Sequence, residues 1–509
     1  MQAKAVLLGA ERLTVDDVAA VVYKNMGARL SPEASRKIRT GHSRLNALLA
    51  SGRAVYGVNT GFGALSGVVI PRNRLKEQQA NLVRSHSAGA GEPFPPEIAK
   101  AALVVTANSL AKGHSGCREV LVDTLVSMIN KEIIPVIPSQ GSIGASGDLI
   151  PLAHAAGVLI GIGEAYHQGR RLPARMAMKR AGIPVLELEP RDGVALTNGT
   201  HMMTALGAMS VHRAGRLSKL ADVALALSLE SILGLTASLD PDVHRLRPHA
   251  GQRATARNVR KLVKGSKLLA AHRYFEKIQD AYSLRCAPQI HGAVKDAVRY
   301  ARSVLETELN SVTDNPLIFG NKVVCAGNFH GQPLAVPLDA LGIALTVLGN
   351  VSERRIDRLM NPNLSGLPAF LAPDPGLHSG YMMAHYLAAA LSLENRGLAS
   401  PGSVDSVPVS ANKEDYNSNG MWCARKAWQI TRNVETIIGI ETLCATQALD
   451  LLKGKPGLGT EAVLRAVRRK VPPLKEDRVI QKDILAVGEL IASGAIIEAA
   501  EDAVGPLDA

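Results

Sequence analysis

The chain has 509 residues, of which 46% are hydrophobic and 20% charged, so it can bury enough apolar surface to fold, and intrinsic disorder is excluded. Only nine Tyr, six Phe and two Trp occur. The apolar residues are therefore mostly Ala, Leu, Val and Ile, and Ala and Leu favour helix. The net charge of +13 raises the question of a nucleic-acid site.

The distribution of the basic residues argues against nucleic acid. The densest stretch runs from Arg245 to Lys267 and has no interleaved aromatic residue and no finger or RNP-like pattern. Charge runs are usually solvated faces. We therefore predict a solvated surface or a subunit contact, and no nucleic-acid partner.

The cysteines and the apolar runs indicate the cellular compartment in which the protein is expected. The five cysteines are an odd number, widely spaced and without a CxxC pair, which predicts neither a disulfide framework nor a zinc ribbon. Acidic residues come too early after the first methionine for a signal peptide. The longest apolar run, Leu149 to Gly163, is shorter than the roughly 20 residues that span a bilayer. A cytoplasmic protein with no membrane association is expected.

The predicted elements change in character along the chain. Helical patterns rich in Ala, Leu and Val run from Pro95 to Val136. A Gly/Ser loop follows from Pro138 to Pro151, and Gly161 to Arg191 shows little helical periodicity. Strands are predicted in that last stretch.

Long helical segments dominate the rest of the sequence. Apolar residues recur at helical spacing in Met202–Leu239, Asp280–Glu308, Leu341–Leu359 and Met382–Leu398. These exceed the ordinary helix of about 11 residues. The sequence therefore predicts a mainly α fold with a long antiparallel central helix bundle and a smaller mixed N-terminal region. We divide it into an N-terminal region (1–200) that contains the Gly/Ser loop, the central bundle (201–453) and a C-terminal helical cap (454–509).

The most unusual segment is GSIGASGD, residues 141–148. It can be a helix-entry loop in which Ser146 and Asp148 act as caps. A phosphate loop is a weaker interpretation, because the lysine of GxxxxGK[ST] is missing. In a third interpretation, the Gly147 nitrogen attacks the Ala145 carbonyl, which glycine permits because it has no Cβ. Loss of water from the ring and from Ser146 would leave a conjugated methylidene, a strong electrophile.

The stretch GSIGASGDLIPLAH (141–154) resembles the signature of the histidine and aromatic amino-acid ammonia-lyase family, which builds a methylidene-imidazolone (MIO) group from Ala-Ser-Gly. Four other stretches agree in family order: YGVNTGFG (56–63), TNGT (197–200), QDAYSLRCAPQ (279–289) with ELNSVTDNP (308–316), and GNFHGQP (327–333). The resemblance extends from about residue 10 to 490. It implies a fumarase/aspartase-like architecture, ammonia elimination from an aromatic amino acid, and a homotetramer with shared active sites.

Ammonia elimination needs an electrophile, a base for a β-proton, and groups that hold the substrate's carboxylate and ring. By resemblance, Tyr56 is the base and Asp148 assists ring closure. The residues that the resemblance makes catalytic are Tyr56, Ala145, Ser146, Gly147, Asp148, Tyr282 and Glu414. Those that it makes substrate-binding are His86, Asn198, Gln279, Arg285 and Phe329.

Several of these residues also have structural interpretations. Without the resemblance, Tyr56 is a loop anchor, Asn198 a helix cap, Arg285 a member of an ion pair and Phe329 a core residue. Tyr282 and Arg285 are three positions apart and would share one helix face. There, the guanidinium can bind a carboxylate through two hydrogen bonds.

Metal and serine-nucleophile chemistry lack their sequence patterns. The fourteen histidines include no HExxH and no His/Cys ligand spacing, and no GxSxG elbow occurs. We expect MIO, formed from Ala145, Ser146 and Gly147, and neither a metal nor a nucleotide.

Two local features concern the substrate's ring. Ser85-His86 matches the histidine-specific branch of the family, and Glu414 stands where phenylalanine and tyrosine enzymes carry Gln. A carboxylate suits an imidazole better than an apolar phenyl ring. The prediction is L-histidine to trans-urocanate. Tyr416, where histidine enzymes carry His, keeps the alternatives open: a tyrosine or phenylalanine ammonia-lyase, or a related 2,3-aminomutase.

Overall fold

The computed structural model describes residues 5–52, 54–271 and 278–509. Helices predominate among them. In chain order they are α1 Val15–Tyr23, α2 Pro32–Ala50, α3 Leu75–His86, α4 Pro96–Leu110, α5 Glu119–Asn130, α6 Leu149–Leu159, α7 Ala174–Arg180, α8 Asp192–Thr197, α9 His201–Ser231, α10 Pro241–Leu246, α11 Ala250–Leu262, α12 Lys267–Ala271, α13 Tyr282–Arg285, α14 Ala287–Glu308, α15 Gln332–Met360, α16 Pro362–Ser365, α17 Met382–Leu398, α18 Gly420–Leu451, α19 Leu458–Arg468, α20 Ile480–Ser493 and α21 Ala495–Val504.

The strands are short. They are β1 Ala5–Leu8, β2 Gly27–Leu30, β3 Ala90–Pro93, β4 Ile134–Pro135, β5 Pro138–Gln140, β6 Glu164–His167, β7 Arg170–Pro173, β8 Leu317–Phe319 and β9 Lys322–Val324. β1 and β2 pair in parallel, and the antiparallel sheets are β3-β5, β4-β6-β7 and β8-β9. β6 and β7 lie in the stretch for which strands were predicted.

The mainly α prediction with long helices is confirmed. The helix predicted from Met202 to Leu239 ends earlier, at Ser231, because Leu233 adopts a left-handed backbone with a φ of +55°. The 32-residue helix α18 was not singled out from the sequence.

The chain separates into two compact units, each made of non-contiguous segments. The first contains Met1–His212, Ala301–Asp339 and Pro401–Arg425, and the second contains Arg213–Tyr300, Ala340–Ser400 and Lys426–Ala509. The three-part division made from the sequence stays a prediction.

In the first unit, α4 lies in the core. Every residue from Ile98 to Leu110 is buried. This explains why the helix is mostly Ala, Val, Leu and Ile and has no solvated polar face, since its few polar residues there are buried as well.

In the second unit, α9 and α14 run in opposite directions. Nζ of Lys295 donates to the carbonyl oxygen of Ser218 at 3.1 Å. Nδ1 of His291, one turn earlier on α14, lies 2.9 Å from Oδ1 of Asp222, one turn later on α9. Contacts that descend along one helix as they ascend along the other define an antiparallel pair.

A buried polar network crosses the helices of the second unit. Arg355 on α15 donates to both carboxylate oxygens of Glu441 on α18, at 2.5 and 2.8 Å. Glu441 also accepts from Ser228 and Ser352, at 2.7 and 2.6 Å. A guanidinium nitrogen of Arg355 lies 3.2 Å from Nε2 of His291. Buried charges tolerate this environment because they are paired and hydrogen-bonded.

Among the described residues, one helix, α15, is long and apolar enough to cross a membrane by length and composition. Of its most apolar window, 67% is buried inside the protein, as expected for a core helix.

Candidate active site

The Ala145-Ser146-Gly147 triplet forms a tight turn immediately before α6. Ser146 and Gly147 both have left-handed backbones, with φ of +50° and +78°. A Cβ on Gly147 would lie 2.1 Å from the carbonyl oxygen of Gly199. Only glycine fits there, because no side chain tolerates that contact with backbone.

The triplet is held against the TNGT segment by backbone hydrogen bonds. The Gly199 N–H donates to the Ser146 carbonyl at 3.2 Å, and the Asp148 N–H donates to the Gly199 carbonyl at 2.8 Å. These bonds hold both ends of the turn at the entrance to α9, which begins at His201.

Asp148 is a buried carboxylic acid beside the triplet. It accepts from the Met203 N–H at 2.7 Å and from the Ser142 hydroxyl at 3.0 Å. Burial raises the pKa of Asp148 to about 7, although these hydrogen bonds oppose the shift. The group can therefore hold or release a proton near neutral pH.

A cavity of about 690 Å³ in the first unit brings predicted residues together from five segments. They are Tyr56, His86, Ser146, Asn198 and Glu414. Ala145, Gly147 and Asp148 adjoin it through the turn. The size suits a small molecule, since ligand cavities measure roughly 300–1,000 Å³.

Tyr56 lies half-buried in the cavity wall, in a loop rich in glycine. Its hydroxyl oxygen accepts a hydrogen bond from the Gly63 N–H at 3.1 Å. A backbone donor aimed at this oxygen stabilises negative charge on it.

Glu414 reaches the cavity from a tight turn. Val409 and Glu414 pair through backbone hydrogen bonds of 3.0 and 3.4 Å, and Ser410, Ala411 and Asn412 between them have left-handed φ values. Oε1 of Glu414 accepts from the Ser146 hydroxyl at 3.5 Å. Burial raises the pKa of the Glu414 carboxyl, and the bond from Ser146 opposes that shift.

Asn198 and His86 contribute further polar groups to the same cavity. Asn198 is 6% exposed, and its Oδ1 has no hydrogen-bond partner within the described part of the chain. An unpaired buried acceptor costs about 1–3 kcal/mol, which a ligand donor would offset. Burial lowers the pKa of His86, whose Nδ1 lies 3.0 Å from the Ser85 hydroxyl.

Phe329 belongs to the first unit but does not line the cavity. It is half-buried. Gly331, two residues on, lies against Met203: a Cβ there would be 2.6 Å from the sulfur. The GNFHGQP stretch therefore packs on the first turn of α9, where Met203 also binds Asp148.

Gln279, Tyr282 and Arg285 form a cluster of their own in the second unit. Arg285 donates to Oε1 of Gln279, and its guanidinium lies 5.0 Å from the centre of the Tyr282 ring. Tyr282 is 68% exposed. The carbonyl of Ser283 in the same turn accepts from Arg355 at 3.2 Å, which ties the cluster to the buried network.

Sequence reasoning missed most of one wall of the cavity. Arg74, Glu77, Gln78 and Asn81 line it together with Ser85 and His86, the two residues of this helix that were named from the sequence. They lie on one face of α3 and its entry. Counting back from Ser85 in steps of three or four residues reaches Asn81, then Gln78 or Glu77, and then Arg74. No cluster of side chains suited to a metal ion occurs among the residues that the structure describes.

The chain is mainly helical, and its Ala-Ser-Gly turn shares a cavity with a tyrosine and a carboxylate. These are the features of an ammonia-lyase. A family model described as aromatic amino acid lyase matches residues 13–469. The chain belongs to the aromatic amino acid lyase family and is a carbon–nitrogen lyase.

Individual relatives cover almost the whole chain. A histidine ammonia-lyase of Gloeobacter violaceus is 50% identical over 97% of each chain. The crystal structure of histidine ammonia-lyase from Trypanosoma cruzi has a TM-score of 0.91 at 42% identity, covering 98% of this chain and 96% of the other. A tyrosine aminomutase from Streptomyces globisporus has a TM-score of 0.93 at 38% identity over 99% of each chain.

Proposed function

We propose that this enzyme eliminates ammonia from L-histidine to give trans-urocanate. The observation that carries the proposal is that Glu414 and His86 line the same cavity as Tyr56 and Ser146. A carboxylate and an imidazole can both hydrogen-bond an imidazole ring. The curated relatives named histidine ammonia-lyase, at 43–50% identity, support the same substrate.

The residues of the triplet fit MIO. Gly147 has no Cβ in the space next to Gly199, and Asp148 can take up or release a proton near neutral pH, as the closure and dehydration of the turn require. MIO, when formed, supplies the electrophile that draws electrons from the substrate amine.

Tyr56 removes the β-proton in this proposal. The C–N bond breaks, its electron pair leaves with ammonia, and the electrons of the broken C–H bond form the new Cα=Cβ bond. The Gly63 N–H stabilises the phenolate oxygen that accepts the proton. Oδ1 of Asn198 accepts from the substrate's amino group, which pairs an otherwise unpaired buried acceptor.

The remaining predicted residues hold the substrate. In the shared active sites proposed below, Arg285 binds the carboxylate, and Gln279 and Tyr282 keep its guanidinium oriented through the contacts they already make. Phe329, which does not line the cavity within its own chain, packs beside the electrophile in the shared active sites proposed below.

We further propose a homotetramer with active sites that draw residues from several subunits. In the second unit, apolar side chains on the neighbouring helices α15 and α17 are exposed, which is unusual for a monomer surface. They are Ile343, Val347, Met383, Tyr386, Leu387 and Leu393. Sedimentation should give four times the chain mass; a monomer would contradict this assembly. All five cysteines are free thiols, which supports a cytoplasmic location.

The test is to offer the purified enzyme L-His, L-Tyr and L-Phe and to follow urocanate, coumarate and cinnamate by absorbance. We expect urocanate to form with the highest kcat/KM. No turnover of L-histidine, with turnover of another amino acid, would overturn the substrate assignment and leave the lyase chemistry intact.

The second candidate is a tyrosine 2,3-aminomutase, which the high similarity to the Streptomyces globisporus enzyme supports. Chromatography of the tyrosine reaction for a β-amino acid distinguishes the two, because a lyase releases ammonia and accumulates only the unsaturated acid.

A further inference from the structure

Gln79 is a fully buried amide on α3 that bridges two segments of the cavity wall. Its Nε2 donates to the carbonyl of Gly57 at 3.2 Å, and its Oε1 accepts from the N–H of Val194 at 3.3 Å. Gly57 directly follows Tyr56. Val194 is the third residue of the short helix α8, and Asn198 follows the end of that helix.

The three segments are packed too closely for water to replace this amide. Gly57 has a φ of +65°, and a Cβ there would lie 3.3 Å from Cγ2 of Val194. A Cβ on Gly193 would lie 2.8 Å from the backbone oxygen of Gln79. The neighbouring Gln78 extends the attachment, because its Nε2 donates to the carbonyl of Thr60 at 2.5 Å.

We propose that Gln79 is a positioning residue that fixes Tyr56 relative to Asn198, and both relative to His86 at the end of the same helix. The proposal rests on the roles given to these residues above. Without the amide, the Gly57 carbonyl and the Val194 N–H lose their partner in a dry interior. The loop that carries Tyr56 then relaxes, and a displacement of about 1 Å costs on the order of 10²-fold in rate.

The first test compares Gln79→Met with Asn108→Leu. Asn108 is a fully buried amide in the same unit; it accepts from the Gly9 N–H at 2.9 Å and donates to the Leu309 carbonyl at 2.8 Å. It does not line the cavity. Both variants should lose thermal stability. Only Gln79→Met should lose kcat, by about 10²-fold, with KM changed much less. Equal kcat losses in the two variants would overturn the proposal.

The second test is rescue by protonation in Gln79→Glu. An ionised carboxylate accepts from the Val194 N–H but cannot donate to the Gly57 carbonyl, whereas the protonated acid does both. The kcat of this variant relative to the wild type should therefore rise as pH falls. A ratio that does not change with pH would contradict a positioning role for the donor.

Amide hydrogen exchange separates this inference from the proposed function. In Gln79→Met, the peptide covering 54–65 should exchange faster than in the wild type and in Asn108→Leu. If the wild type turns over no amino acid, the proposed function fails, but faster exchange confined to Gln79→Met still supports positioning. Equal exchange in all three proteins overturns it.

Discussion

Ser146 and Glu414, 268 positions apart in the sequence, are joined by a hydrogen bond of 3.5 Å from the serine hydroxyl to Oε1 of the glutamate. The residue that MIO formation would dehydrate thus lies beside the carboxylate assigned to the substrate's ring. This places the proposed electrophile and the proposed ring-binding group within the length of one small substrate.

Replacing Ser146 by Ala should abolish MIO formation, because no hydroxyl remains to be lost. We expect turnover to fall by about 10³-fold or more. Intact-mass spectrometry should give the wild type a mass lower by two water molecules than the mass calculated from its sequence. The mass of the variant should not show this loss of two waters. Ser410→Ala, at another serine of the cavity wall, should keep the loss. An unmodified wild-type mass would refute the MIO assignment.

Glu414→Gln should lower kcat/KM for L-histidine by about ten- to a hundredfold, because the ring loses a charged partner. Burial raises the pKa of Glu414. When the solution is acidified, Glu414 of the wild type therefore becomes protonated at a higher pH than an exposed glutamate does. The acid limb of the wild-type pH–rate profile should therefore move to lower pH in the variant. Asp415→Asn, at an adjacent exposed carboxylate, should leave the profile unchanged; an acid limb that stays in place in Glu414→Gln would refute this role.

Gly147→Ala should prevent the turn from closing, because its Cβ would lie 2.1 Å from the Gly199 oxygen. Gly163 is the matched control: its φ of +77° is nearly the same as the +78° of Gly147, but nothing lies within 4 Å of a Cβ there. Gly163→Ala should cost only about 1–2 kcal/mol of backbone strain and keep full activity. Equal activity in the two variants would contradict the close contact.

The stability contribution of Asp148 should depend on pH. Burial raises its pKa from 3.8 to about 7, so between these values the unfolded chain releases a proton that the folded chain retains. The free energy of unfolding therefore falls as pH rises from about 4 to 7. Asp148→Asn does not titrate, so the wild-type Tm minus the variant Tm should decrease over this range. A Tm difference that stays constant over this pH range would show that the pKa of Asp148 is not raised.

Local sequence patterns were enough to predict much of the secondary structure. Ala- and Leu-rich segments predicted the long helices α9, α14, α15 and α17, because apolar spacing reports directly on a buried helix face. Helix α18 was not singled out in the sequence analysis. Its residue Glu441 is charged and buried, and that burial is tolerated because Arg355, Ser228 and Ser352 of other helices donate to it.

By itself, the sequence determined the chemistry available to the protein: an Ala-Ser-Gly triplet, an acid beside it, and a tyrosine in a glycine-rich loop. Only the tertiary structure decided which of these groups meet. It joined Ser146 to Glu414 and Gly147 to Gly199, gave Asp148 its raised pKa through burial, and revealed the polar wall of α3 with Gln79 behind it. Those outcomes depend on packing between segments far apart in the chain, and neither contact distances nor desolvation can be read from residue spacing.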